Sequence, residues 1–329
     1  MKEIQLQRHA RPDEACACVE VDDVGAPDKG EVVVEIRASA INPADLLIME
    51  GRYPGPEELP APMGIEGTGR VTAVGAGVDH LKPGDKVMSL GRANWAERIK
   101  APADRVVKLP EAIDFTLAAM LKANPPSAHF MLSDYVELKP GDWVAQNAAN
   151  SAVGRHVIRL AKARGLHSVN IVRRQELVDE LKGLGADVVV VDGEDVGARV
   201  RAEIGAEAPV RLGIDAAGGP LCQRLADCLS DGGTVVNYGF LSGEPCMITP
   251  HQAIIHDITL KGFWLMRKMQ TLSREEIESL YAKMAGYFMD GTLEVPVEAS
   301  YGLDQAKAAL AHAFKAGRAG KILFTPTAE

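Results

Sequence analysis

Two short stretches of this 329-residue chain have the composition that holds phosphates. The first, Gln146-Asn147-Ala148-Ala149-Asn150-Ser151-Ala152-Val153-Gly154, joins an apolar run to an amphipathic one. Small side chains at such a strand-to-helix turn let backbone N–H groups of the helix N-terminus approach a pyrophosphate. Asn150, Ser151, Ala152, Val153 and Gly154 are therefore candidate cofactor contacts, and Ser151 also suits a helix cap. The turn departs from G-x-G-x-x-G, because Asn150 and Ala152 stand where glycines are commonest; a plain turn without a ligand stays open. The second stretch, Asn170-Ile171-Val172-Arg173-Arg174, ends the next apolar run about 20 residues on. A carboxylate at that point serves the ribose hydroxyls of NAD. Two guanidiniums suit a 2′-phosphate instead, through charge-assisted and often bidentate hydrogen bonds. A solvated basic pair is the alternative. These residues point to NADPH.

The thiols and imidazoles offer no metal-site spacing. Cys16 and Cys18 have no third thiol within a hundred residues, Cys222 and Cys228 lie six apart, and the eight histidines are scattered. The chemistry is expected to proceed without a Lewis-acid metal.

The elements that must position these residues follow from periodicity. Strands are predicted at Trp143–Ala148, Ser168–Arg173, Asp187–Asp192, Val210–Ala216, Thr234–Phe240 and Asp257–Trp264, with amphipathic helices between the earlier ones. Near-continuous apolar strands alternating with helices predict a parallel sheet covered on both faces, a doubly wound α/β (Rossmann) domain over 121–265. Before it, Glu31–Ala38, Gly69–Val74 and Lys86–Leu90 read as short strands between Gly/Pro turns, which suggests a small barrel or folded sheet. After it come a long helix, Arg274–Met289, a short Pro-containing strand, a helix over Leu303–Ala316, and a strand over Gly320–Phe324. That last strand is too isolated to fold alone and must join the N-terminal sheet. The chain is thus expected to have a discontinuous, mainly-β outer domain, 1–120 and 266–329, into which the Rossmann domain is inserted.

A hydrophobic fraction of 47% and a charged fraction of 25% are ordinary for a soluble globular protein. A net charge of −9 argues against general nucleic-acid binding. No apolar run approaches the ~20 residues of a membrane span. The N-terminus lacks a secretory core and carries early acids, and five cysteines form no paired framework, so a cytoplasmic location is expected.

These residues resemble the medium-chain dehydrogenase/reductases, and within them the zinc-free 2-enoyl thioester reductases of the mitochondrial type. The matching segments are Ile41-Asn42-Pro43-Ala44-Asp45, Gly51-Arg52-Tyr53-Pro54, Gly64–Gly67, Ala123-Asn124-Pro125-Pro126-Ser127, Asn147–Gly154, Asn170–Arg173, Tyr238-Gly239 and Gly262-Phe263-Trp264-Leu265. Asn42 stands where zinc enzymes carry a catalytic cysteine, and Gly64-Ile65-Glu66 where they carry Gly-His-Glu. The resemblance implies a GroES-like outer domain and a hydride transfer to Cβ of an α,β-unsaturated thioester, followed by protonation at Cα. Tyr53 is then the assisting residue, as acid or as hydrogen-bond donor to the developing enolate; a phenol with a pKa near ~10 keeps its proton at neutral pH. Asn42 and Ser127 would place the nicotinamide or its ribose, with Tyr238 and Gly239 also at the cofactor. The Phe263–Leu265 backbone would hold the carboxamide, with Trp264 alternatively in core or dimer packing, and Lys321 would reach the cofactor from the tail. Arg267 and Lys268 would meet pantetheine-linked phosphates or lie in solvent. Two departures touch the substrate side: Ile65 in place of a frequent Asn, and Lys122 in place of a small residue.

Three functions follow: an NADPH-dependent 2-enoyl thioester reductase acting on CoA- or carrier-bound acyl groups, a quinone or enone reductase of the neighbouring branch, and a non-catalytic NADPH-binding protein. A homodimer through the last Rossmann strand is expected by family likeness, with neither nucleic-acid nor membrane partners.

Overall fold

The computed structural model describes residues 1–326. Contacts divide the chain into two compact units. One comprises Met1–Ala123, Leu272–Asp290 and the stretch from Val295 onward; the other comprises Asn124–Thr271 with Gly291–Glu294.

The first unit is mainly β. Its strands are β1 (Lys2–Leu6), β2 (Cys16–Glu20), β3 (Glu31–Ala40), β4 (Ala61–Pro62), β5 (Thr68–Val74), β6 (Lys86–Ser89), β7 (Arg98–Pro102) and β8 (Val106–Lys108). β1 lies between β2 and β4 in a small sheet, while β3 pairs antiparallel with both β5 and β7 in a larger one. Val32, Val34 and Ile36 of β3 are buried with Val71, Val87 and Ile99 in one cluster, because alternate residues of a strand share one face. β3 and β5 approach so closely at Gly69 that a Cβ there would lie 1.9 Å from the Glu35 carbonyl oxygen, so only glycine fits.

The second unit carries β9 (Trp143–Gln146), β10 (His167–Val172), β11 (Val188–Val191), β12 (Val210–Asp215), β13 (Thr234–Asn237) and β14 (Thr259–Gly262). They form an all-parallel sheet in the order β11-β10-β9-β12-β13-β14. The order reverses at β9, and ligands of doubly wound sheets bind beyond the carboxyl ends at such a switch point. Five of the six strands are shorter than the periodicity predicts, β13 and β14 by the most. Asp257 takes φ 51°, which extended backbone cannot include, so β14 begins at Thr259. Beyond β13, Asn237 Nδ2 donates to the Gly239 carbonyl (3.1 Å) and turns the chain, leaving Phe240 in a loop.

The chain then returns to the first unit. Helix Arg274–Met289 has the predicted bounds, set by Ser273 and Glu276 in a capping box. β15 (Val297–Tyr301) pairs parallel with β16 (Lys321–Phe324), and β16 pairs antiparallel with β3. The isolated terminal strand therefore completes the N-terminal sheet, and Phe324 packs edge-on against Trp95 with ring centroids 5.1 Å apart. The fold is a doubly wound Rossmann unit inserted into a discontinuous, mainly-β unit.

Candidate active site

In the second unit, β9 leads through the small-residue turn into helix Ala152–Ala163. Ser151 is its N-cap, and its side chain accepts from the Gly154 N–H (3.1 Å). A Cβ on Gly154 would come within 2.5 Å of the Ala149 carbonyl oxygen, so glycine is what lets the helix close on the turn. The first N–H groups, on Ala152 and Val153, have no acceptor within the helix and suit an anion at the end of a 12-residue helix. Ala148 sits in the left-handed region at φ 48°, a strained conformation for a residue with a Cβ, at the start of this turn. Tyr238, from the loop after β13, hydrogen-bonds to Ser151, and burial raises its phenol above the ordinary range. Gly239 packs against Ala216, whose carbonyl oxygen a Cβ would meet at 2.4 Å. The structure thus brings Ser151, Gly154 and Tyr238 together, with Asn150 half-buried beside them.

Sequence reasoning missed the residue that ties these strand ends together. Asp215, wholly buried at the end of β12, accepts from Asn147 Nδ2 (2.6 Å), the Ala217 and Gly218 N–H groups (3.0 and 3.1 Å) and Asn237 Nδ2 (2.8 Å). Its signal was a lone acid closing an apolar strand before Ala-Ala-Gly-Gly, a position with no solvent reason to be acidic.

Arg173 and Arg174 are exposed just beyond β10, and Arg174 is paired with Glu176 at 3.3 Å. Ser127 is buried in helix Asn124–Met131. Beyond β14, the Phe263 N–H donates to the Asn237 carbonyl (2.8 Å), and helix Leu265–Met269 follows with Trp264 as its N-cap. Trp264 is 41% exposed, so it is not core. Lys268 is committed to Asp134 (2.7 Å), whereas Arg267 is exposed.

In the first unit, Asn42 caps the helix Pro43–Met49, and Asp45 completes the capping box. Asp45 accepts from the N–H groups of Asn42 (2.9 Å) and Ile65 (3.0 Å), yet burial still pushes its carboxyl up to about 7. Lys321, on β16, donates to Asn42 Oδ1 and to the Ile41 carbonyl (3.4 Å). Asn42 also bonds Glu66, whose Oε1 accepts from the Ala123 N–H (2.6 Å); burial raises the Glu66 carboxyl. Lys122 donates to the carbonyls of Ile65 and Gly91. Two carboxylates and two ammoniums, all buried, therefore surround Asn42 and the Gly64–Gly67 turn, and burial lowers both lysines. Tyr53, half-buried in the loop after helix Pro43–Met49, packs against the cluster that contains Ile41, Met49 and Trp95. Lys321 thus contacts Asn42 directly, whereas Lys122 and Asp45 were not anticipated as members of this cluster.

Residues 28–111 match the family described as alcohol dehydrogenase GroES-like domain, and residues 152–285 the one described as zinc-binding dehydrogenase. A mitochondrial enoyl-[acyl-carrier-protein] reductase of Caenorhabditis elegans is 36% identical over 89% of this chain and 86% of its own length. The solved complex of Etr1p with NADP and crotonyl-CoA is 25% identical, covers 98% of this chain and 99% of its own, and superposes with a TM-score of 0.86. Escherichia coli quinone oxidoreductase with NADPH is 27% identical, covers 99% and 100%, and has a TM-score of 0.89.

The word zinc in the second description does not fit these side chains. Among the described residues no three His, Cys, Asp or Glu side chains are gathered as a ligand set. Asp45 and Glu66 already face the ammoniums of Lys321 and Lys122. The cytoplasmic location expected from the N-terminus and the cysteines is overturned by the relatives, which are named as mitochondrial enzymes. Unpaired cysteines mark a reducing compartment without saying which one. With likeness across nearly the whole chain, this protein belongs to the medium-chain dehydrogenase/reductases, in the family of the enoyl-acyl-carrier-protein reductases.

Proposed function

We propose that this chain reduces the carbon–carbon double bond of 2-enoyl thioesters with NADPH. The observation that carries the reading is the 36% identity, over 89% of this chain, with an enoyl-acyl-carrier-protein reductase; the solved enoyl thioester reductase and quinone oxidoreductase, at 25% and 27%, do not separate the two readings. Backbone likeness favours neither, with TM-scores of 0.86 and 0.89, and this is what keeps the quinone reading as the second one.

NADPH, when bound, supplies the hydride that adds to Cβ. As the hydride adds, the alkene electron pair becomes a double bond between Cα and the acyl carbon and the carbonyl pair moves onto the thioester oxygen, giving an enolate. Tyr53 donates a hydrogen bond to that oxygen, a contact strongest when the charge has developed. A proton, from Tyr53 or from solvent, then forms the Cα–H bond, and solvent restores the phenol. The N-terminus of helix Ala152–Ala163, with Asn150 and Ser151, receives the pyrophosphate, and Arg173 the 2′-phosphate. Asn42 and Ser127 place the nicotinamide end, the Phe263–Leu265 backbone takes the carboxamide, and Lys321 acts through Asn42. A saturated acyl thioester as product places the reaction in fatty-acid metabolism.

The test is NADPH oxidation with crotonyl-CoA, longer enoyl-CoA esters and a simple quinone. Turnover of the enoyl thioesters is expected; turnover of the quinone alone would sink this reading in favour of the second.

The assembly we propose is a homodimer. β14 is a sheet edge, and unpaired edges invite pairing. Ile254, Ile255 and Trp264, exposed by 76, 63 and 41%, flank it. Replacing Ile254 and Ile255 together by Lys is expected to give a monomer by light scattering, where the wild type gives a dimer. A dimeric variant would move the interface elsewhere.

A further inference from the structure

The reaction proposed above leaves Lys122 without a role. It is buried, and its ammonium bridges the carbonyls of Ile65 and Gly91, which belong to different loops. Asn94 reinforces the same junction, its Nδ2 donating to Gly64 and Gly91 carbonyls, each at 2.9 Å. The residue after Gly91 carries the connection onward. Arg92 Nη1 donates to the carbonyl of Pro54 (3.0 Å), the residue that follows Tyr53. An ammonium between two carbonyls is a cross-link that an apolar side chain at this position cannot make.

We propose that Lys122 is a positioning residue: it clamps the Ile65 turn to the Gly91–Asn94 loop, and through Arg92 that loop fixes the segment carrying Tyr53. The proposal rests on the reading that Tyr53 acts in the reaction. The clamp responds to protonation. Burial pushes the Lys122 ammonium down to about 7, aided by Arg92 and Arg105 and opposed by Glu66 and Asp45. Tyr281 also lies against it, its hydroxyl donating to the Lys122 carbonyl (3.0 Å). A neutral amine donates more weakly than an ammonium, so the clamp loosens as pH rises through that region and tightens below it.

The test measures kcat and KM for crotonyl-CoA against pH in the wild type, Lys122→Met, Lys122→Arg, Arg92→Met, Tyr53→Phe and the Lys122→Met/Tyr53→Phe double variant. Wild-type kcat is expected to fall as pH rises past about 7. Lys122→Arg, protonated throughout, should lack that limb. Lys122→Met should lose roughly 10-fold in kcat with little change in KM, the signature of a misplaced catalytic group. In the Tyr53→Phe background the same substitution should cost no more than about 2-fold, because the group it positions is gone. Arg92→Met, at a partly exposed position, should reproduce the kcat loss and carries the test if Lys122→Met does not fold. An equal loss with and without Tyr53, or a limb that survives in Lys122→Arg, overturns the proposal. Wild-type kcat in Tyr53→Phe alone overturns the underlying role of Tyr53, whereas an impaired Tyr53→Phe without coupling refutes only the role of Lys122.

Discussion

Tyr53→Phe is expected to lower kcat on crotonyl-CoA by roughly 10²–10³, the cost of removing one donor from a developing oxyanion. The substitution keeps the ring that packs against its core cluster, so the loop and the cluster stay filled. What is lost is one O–H. Because that hydrogen bond strengthens only as charge reaches the thioester oxygen, the loss should fall on kcat and on kcat/KM alike, with KM nearly unchanged. A quinone, which needs no enolate stabilised at this position, should be reduced by the variant as well or as poorly as by the wild type. Steady-state kinetics on both substrates check this. Unchanged kcat with the enoyl thioester would take Tyr53 out of the reaction.

Much of the scaffold was legible because it is periodic. The alternation over 121–265 gave the parallel sheet, and Arg274–Met289 reads as a long helix with the bounds it has. The need of Lys321–Phe324 for a partner strand was legible from its isolation, and β3 meets it. The errors lie where one residue overrides a pattern. Asp257 looked like the start of a strand until its left-handed backbone is seen, and Ala148 carries a strained φ that nothing in its type announces. The cluster around Asn42 was legible only in part. Asp45, Glu66, Lys122 and Lys321 are far apart in sequence, and each charge taken singly reads as a solvated one. Their burial follows from mutual compensation, which is a property of the folded chain. Asp215 was hidden in the same way, since its four donors come from three strand ends.

Arg173→Ala is expected to raise the Kd for NADPH by roughly 10- to 100-fold, the loss of hydrogen bonds to a doubly charged phosphate, and to leave NADH within about 2-fold. The geometry separates the two arginines that the sequence could not. Arg174 spends its guanidinium on Glu176 (3.3 Å), while no ion pair among the described residues involves Arg173 at the end of β10. Arg174→Ala should therefore weaken NADPH far less, because an exposed pair that is already screened contributes little. The selectivity should also shrink with salt, since charge–phosphate attraction at an exposed site is screened within a Debye length of about 8 Å at physiological ionic strength. Titration of both coenzymes into both variants, at low and at physiological salt, reads all of this at once. Equal losses of NADPH and NADH in Arg173→Ala would mean that the arginine serves the shared part of the coenzyme, and the 2′-phosphate would need another partner.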